Sequence, residues 1–181
     1  DGKKVTKSIA GWVKDDIEDG KKKRYNFSND EQFLCLVSGF LTRGQGNPGV
    51  HKKLPDYGIK KINDINEINK NIIVNALKNA KVRFHNGAFE VMIGAKKVLN
   101  DSYKNKCETY FKEAEKEENY RSDFIHDPFF GIKNISFKVR NYALSDFSEF
   151  YMAVDINVLK SVKKLQLLKI PKDEKYDKLY F

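Results

Sequence analysis

Apolar residues recurring three and four positions apart run through most of this sequence, and that spacing restricts the chain to helices that each bury one face. After Ser28-Asn29-Asp30-Glu31, which has the form of a capping box, a stripe passes through Phe33, Leu36, Val37, Phe40 and Leu41. A second helix is predicted from Asp64 through Ile65, Ile68, Ile72, Ile73, Ala76 and Leu77, and a third over 87–99 with Val91, Ala95, Val98 and Leu99 inward. Tyr103, Cys107, Tyr110, Phe111 and Ala114 mark a fourth, ending in the solvated charges of 113–118. Ile135, Val139 and Tyr142 mark a helix after Pro128 and Gly131. Val158, Leu159, Val162 and Leu165 mark the last, with Asp155 as its N-cap. Strand alternation is scarce, Phe150 to Val154 being the ambiguous stretch. The predicted fold class is all-α.

Composition narrows the function. A chain of 181 residues buries a proper core as one domain or two small lobes, and 40% hydrophobic with 13% aromatic residues argues against disorder. No apolar run approaches a membrane span and no signal-peptide pattern opens the chain, so no membrane partner is expected. Two cysteines, Cys35 and Cys107, are too few for a disulfide framework, a four-thiolate zinc site or a four-cysteine iron–sulfur cluster. His51, His85 and His126 lack metal-site spacing, so surface or structural roles are favoured for them. A reducing, intracellular setting is the default.

A net charge of +9 points first to a polyanion, most often nucleic acid. The basic clusters Lys21 to Arg24, Lys52/Lys53, Lys60/Lys61 and Lys96/Lys97 are scattered, which suits a broad electrostatic footprint or simple solvated charge. Trp12 reads as core packing. Gly44-Gln45-Gly46-Asn47-Pro48-Gly49 matches GxGxxG in form, but no strand precedes it and no helix opens after it, so a flexible turn is the better reading.

The stretch from Asp127 to Asp155 carries the chemistry. Pro128-Phe129-Phe130-Gly131-Ile132-Lys133 is predicted as a short hairpin, with backbone amides exposed to cradle a phosphate and Lys133 opening the next helix. Met152-Ala153-Val154-Asp155-Ile156 places an acid after an apolar run. A lysine amine and a carboxylate beside a bound nucleotide suit nucleophilic attack on a sugar carbon, provided the amine has shed its proton. A surface lysine and a plain helix cap fit the same two positions.

These residues resemble the helix-hairpin-helix (HhH-GPD) DNA glycosylases, whose hairpin reads Leu-Pro-Gly-hydrophobic-Gly-x-Lys and is followed by a hydrophobic-Val-Asp helix cap. Pro128, Phe130 and Gly131 match hairpin positions that bind DNA, Lys133 matches the catalytic lysine and Asp155 the catalytic aspartate. Gly131 to Asn141 is similar to the Gly-x-Lys-Glu-Ala-Ser-x-x-Leu-Arg-Asn helix of archaeal-type 8-oxoguanine DNA glycosylases, and Leu77 to His85 to their Leu-x-Asn-x-x-x-Arg-Phe-x stretch. The resemblance covers roughly residues 28–165. Phe129 departs from it by replacing the first hairpin glycine, and Asn157 stands where relatives often have histidine.

The resemblance implies a two-lobed, all-α glycosylase fold: a six-helix-barrel lobe with the helix-hairpin-helix over 29–141, and a second helical lobe from 1–28 and 142–181. It implies a bifunctional glycosylase/AP lyase that excises 8-oxoguanine from double-stranded DNA, monomeric, free of metal or organic cofactor, and cytoplasmic at the nucleoid. Lys133 would attack the sugar and Asp155 would activate it. Gln45 is a candidate wedge for the gap left by the flipped base, although a polar loop residue is its better reading. The alternatives are a glycosylase/lyase for another oxidised base and a non-catalytic helix-hairpin-helix DNA-binding module.

Overall fold

The computed structural model describes residues 18–20, 26–42, 54–67, 69–79, 81–82, 85–122, 124–148, 150–151 and 164–165. Among them the ordered elements are all helical: α1 (Asn29–Thr42), α2 (Asp64–Glu67), α3 (Lys70–Asn79), α4 (His85–Tyr103), α5 (Cys107–Ala114), α6 (Glu117–Arg121) and α7 (Phe137–Ser145), with 3-10 turns at Leu54–Tyr57 and Pro128–Gly131. The all-α expectation holds for these residues.

The capping box forms as the sequence requires. The Ser28 amide and hydroxyl donate to Glu31 Oε2 at 2.7 and 2.8 Å, and the Glu31 amide donates back to Ser28 Oγ at 3.3 Å. These donors hold the Glu31 carboxyl below the ordinary range. The helix that follows differs from the one-faced expectation. Phe33, Leu36, Val37, Phe40 and Leu41 are buried, and so is every other residue from Gln32 to Thr42. The reason is position: α1 packs against α7, α4 and α5 and runs through the centre. Its buried polar groups find partners, Thr42 Oγ1 donating to the Ser38 carbonyl at 2.7 Å and Gln32 Nε2 to the Phe27 carbonyl at 3.4 Å. Gly39 sets the crossing with α7, since a Cβ there would lie 2.6 Å from Ala143 Cα and Cβ.

Three helix boundaries move from where periodicity put them. The helix expected from Asp64 to Leu77 breaks into α2 and α3 because the Asn69 side chain accepts the Asn71 amide at 2.8 Å and restarts the helix. Ile72, taken from the periodicity as inward, is 55% exposed. Tyr103 closes α4 instead of opening the next helix. Lys104 and Asn105 turn left-handed (φ 52° and 58°), and the Asn105 amide reaches back over the last turn to the Leu99 carbonyl at 2.9 Å, which ends the helix. Of the charges expected to finish the fourth helix, Glu113 lies in α5, and Glu117 and Glu118 open a short separate helix, α6.

The stripe expected after Gly131 also shifts. Ile135 is buried ahead of α7, but within it Val139 and Tyr142 are half-buried, and the inward set is Arg140, Asn141, Ala143 and Leu144. The helix starts only at Phe137, so its register differs from one counted from Gly131. Leu165, expected inward, is 66% exposed. Val158, Leu159, Val162, the Asp155 cap and Trp12 lie outside the described residues, as do most of 1–28 and 152–181. Of the chain after α7, Phe147 stacks on Phe111 of α5 (ring centroids 4.3 Å apart) and Tyr151 donates to the Ala114 carbonyl at 2.7 Å.

Candidate functional site

Asp127-Pro128 opens the turn that carries the candidate chemistry. Proline at the first position of a helical turn sacrifices no donor, and an aspartate before it caps the free amides. Here Asp127 Oδ1 accepts the Phe129 amide at 2.9 Å, giving a 3-10 turn over Pro128–Gly131 where a hairpin was expected. Phe129 points inward and is fully buried, 4.7 Å from the Tyr110 ring and 5.2 Å from that of Phe40. Gly131 is exposed, with nothing within 4 Å of the place a Cβ would take, so its backbone is open to an approaching ligand.

Lys133 does not open the following helix as expected. It lies exposed in the turn ahead of α7, next to Asn134, whose φ of 77° is left-handed. Ile132 anchors this turn from the other side, seated on Gly94 of α4, where a Cβ would sit 3.0 Å from its Cγ1 and Cγ2.

Between this turn and α4 lies a groove of about 410 Å³, with Gly131 and Lys133 on one wall and Glu90, Lys97, Asp101 and Ser102 on the other. Glu90 is ion-paired to Lys70 of α3 at 2.6 Å. That bond first, and the charge of Lys133 as a lesser cause, hold its carboxyl below the ordinary range. The groove therefore presents an exposed amine beside an open backbone, with charges of both signs opposite.

The supporting layer beneath was not foreseen from the sequence. Asp127 is buried, and its Oδ2 accepts from the Tyr110 hydroxyl at 2.8 Å and faces Arg140 Nε at 3.6 Å. Burial pushes the Asp127 carboxyl up to about 6, with the Phe129 amide, Arg140 and Tyr110 acting in the opposite direction. Burial also raises the Tyr110 hydroxyl well above its ordinary value. The Arg140 guanidinium is fully buried within 4.9 to 5.8 Å of the rings of Tyr151, Phe130, Phe137 and Phe124. Asp-Pro was a local signal for the cap, but nothing in apolar periodicity marks a buried arginine.

Of the residues singled out in sequence, Pro128, Phe130, Gly131 and Lys133 are brought together. Asp155, Gln45 and Asn157 lie outside the described residues, as do His51, Lys52/Lys53 and the Lys21 to Arg24 run. His85 Nδ1 lies 3.1 Å from the Val82 carbonyl and His126 is exposed. Among the described residues no three His, Cys, Asp or Glu side chains are grouped to hold a metal ion, and no helix is long and apolar enough to cross a membrane.

No protein-family model matches the chain, and no curated protein matches its sequence. Its fold is similar to that of the crystal structure of Methanocaldococcus jannaschii 8-oxoguanine DNA glycosylase, with a TM-score of 0.63 and 19% sequence identity over 95% of this chain and 74% of that one. The archaeal-type glycosylase resemblance read from the Gly131–Asn141 stretch thus agrees with the fold.

Proposed function

We propose that the chain is a bifunctional DNA glycosylase/AP lyase that excises 8-oxoguanine from double-stranded DNA. The observation that carries this reading is Lys133, an exposed amine on a groove wall beside the open Gly131 backbone, on a fold shared with an 8-oxoguanine DNA glycosylase. In this reading the Gly131 region holds the phosphate of the damaged strand and the lesion is flipped out of the stack. The neutral Lys133 amine attacks C1′, the glycosidic C–N bond breaks and the base departs with a proton. Ring opening leaves a Schiff base between Lys133 and C1′. Loss of a C2′ proton then expels the 3′ phosphate oxygen, and water releases the lysine. Asp155 activates the lysine and offsets positive charge developing on the sugar, and Gln45 is the candidate wedge.

The division into a barrel lobe over 29–141 and a second lobe from 1–28 and 142–181 belongs to the same proposal. So do monomeric action without metal or organic cofactor, and a place at the nucleoid.

Borohydride trapping tests the reading on duplexes carrying one 8-oxoguanine, one thymine glycol, or no lesion. Trapping on 8-oxoguanine alone, lost in Lys133→Gln with duplex binding retained, is the expected result. Trapping confined to thymine glycol would keep the mechanism and change the substrate. Salt-sensitive binding without trapping on any duplex would leave a DNA-binding module.

A further inference from the structure

Beneath the Lys133 turn lies a buried ion pair that the reaction as written does not use. Asp127 and Arg140 are both withdrawn from water, their contact is 3.6 Å, and Tyr110 completes the set. A pair like this is a weak device for stability, because desolvating two charges offsets most of their attraction and apolar residues of equal volume do as well. What it does supply is a fixed geometry, and the parts it joins are the ones that matter here. Asp127 caps the turn that leads to Lys133. Phe130 of that turn lies 5.0 Å from the Arg140 guanidinium, and Phe137 at the start of α7 lies 5.7 Å from it. Tyr151, four positions before Asp155 in sequence, closes the far side at 4.9 Å and is itself tied to α5. Arg140 thus touches the turn before Lys133, the start of the helix after it, and Tyr151.

We propose that Asp127 and Arg140 are positioning residues, a buried clasp that holds the Lys133 turn in register with α7 and Tyr151. The proposal rests on the lysine chemistry above. Neither residue touches the reacting atoms. Their effect is on where the amine stands, and small displacements of a nucleophile carry large rate penalties. The clasp also has a pH dependence. Asp127 is faced by Tyr103 from α4, Tyr110 from α5 and Arg140 from α7, and burial pushes its carboxyl up to about 6. Protonation there removes the charge that Arg140 faces.

The test uses the full chain and a duplex with a single abasic site, which reads the lyase step without depending on which base is excised. With saturating duplex, at a temperature where each variant is folded, Arg140→Lys and Asp127→Asn should trap about 10²-fold more slowly while duplex affinity is retained, although Asp127→Asn lowers the unfolding midpoint by leaving Arg140 buried without its counter-charge. The wild-type rate should rise through a limb near pH 6. That limb should vanish in Asp127→Asn, and it should move to higher pH in Tyr110→Phe, which loses a donor that favours the ionised carboxylate. Tyr110→Phe keeps the ring packing, so it serves if the charge variants fail to fold. Folded variants with the wild-type rate and an unmoved limb would overturn the clasp.

If the wild type traps on no duplex, the lysine chemistry itself has failed, and the clasp is judged by nuclear magnetic resonance. The amides of Gly131, Ile132 and Lys133 should then follow a titration near pH 6 that is absent in Asp127→Asn. Amides that do not sense Asp127 would sink the proposal.

Discussion

Phe129 stands where the helix-hairpin-helix glycosylases carry the first hairpin glycine, and its side chain resolves the departure: it leaves the turn surface and fills the core between Phe40 and Tyr110. The backbone left open to a ligand is at Gly131 instead. Introducing the glycine that those glycosylases carry, Phe129→Gly, should therefore harm the protein. Removing a fully buried phenylalanine costs about 3–5 kcal/mol, and a glycine adds chain entropy to the unfolded state, so urea unfolding should shift strongly. Unchanged stability would mean the ring is not packed as described. Asp127 makes a second prediction at this scale. Its carboxyl holds a proton up to about pH 6 when folded, against an ordinary 3.8, so the folded state binds that proton more firmly than the unfolded chain. Its contribution to stability is therefore greatest below about pH 4 and declines as pH rises through 6, by roughly 3 kcal/mol in all. Subtracting the stability profile of Asp127→Asn from that of the wild type isolates the effect, and a difference that rises with pH would reverse the assignment.

Elements are joined here by small residues and borrowed caps. The Lys106 side chain makes no cap for α5, and the bonds come from the start of α1: Asn29 Oδ1 accepts the Cys107 amide at 2.8 Å while its Nδ2 donates to the Asn105 carbonyl at 2.7 Å. Closure of α1 on α7 depends on Gly39, where any Cβ would overlap the Ala143 backbone. In an isolated helix Gly39→Ala would add stability through propensity. In this crossing it should instead cost about 1–3 kcal/mol by forcing the helices apart, measured as a lower denaturant midpoint. Stabilisation would show that the two helices cross less closely.

For the whole molecule, the net charge of +9 sets the long-range behaviour. Described basic groups are spread over several elements, Lys60 and Lys61 before α2, Lys97 on α4 and Lys133 in its turn, all exposed. Binding to undamaged duplex should thus fall steeply with salt. A footprint of about six phosphates corresponds to a loss of ~10³-fold between about 50 and about 200 mM salt, readable by fluorescence anisotropy. Affinity indifferent to salt would remove the polyanion reading.

Local pattern alone was enough for the helical class, the capping box at Ser28, and the inward faces of α4 and α5. Each of these depends on residues within a few positions of one another, and apolar periodicity records exactly that range of interaction. It could not show that α1 is buried all round, that Asn29 caps a helix begun far along the chain, or that Tyr103 ends a helix through two left-handed residues. Nor could it show Arg140 enclosed by four rings and facing Asp127. A charged residue reads as solvent-facing until partners from distant segments surround it, so its burial is a property of the assembled core and not of its neighbours in sequence.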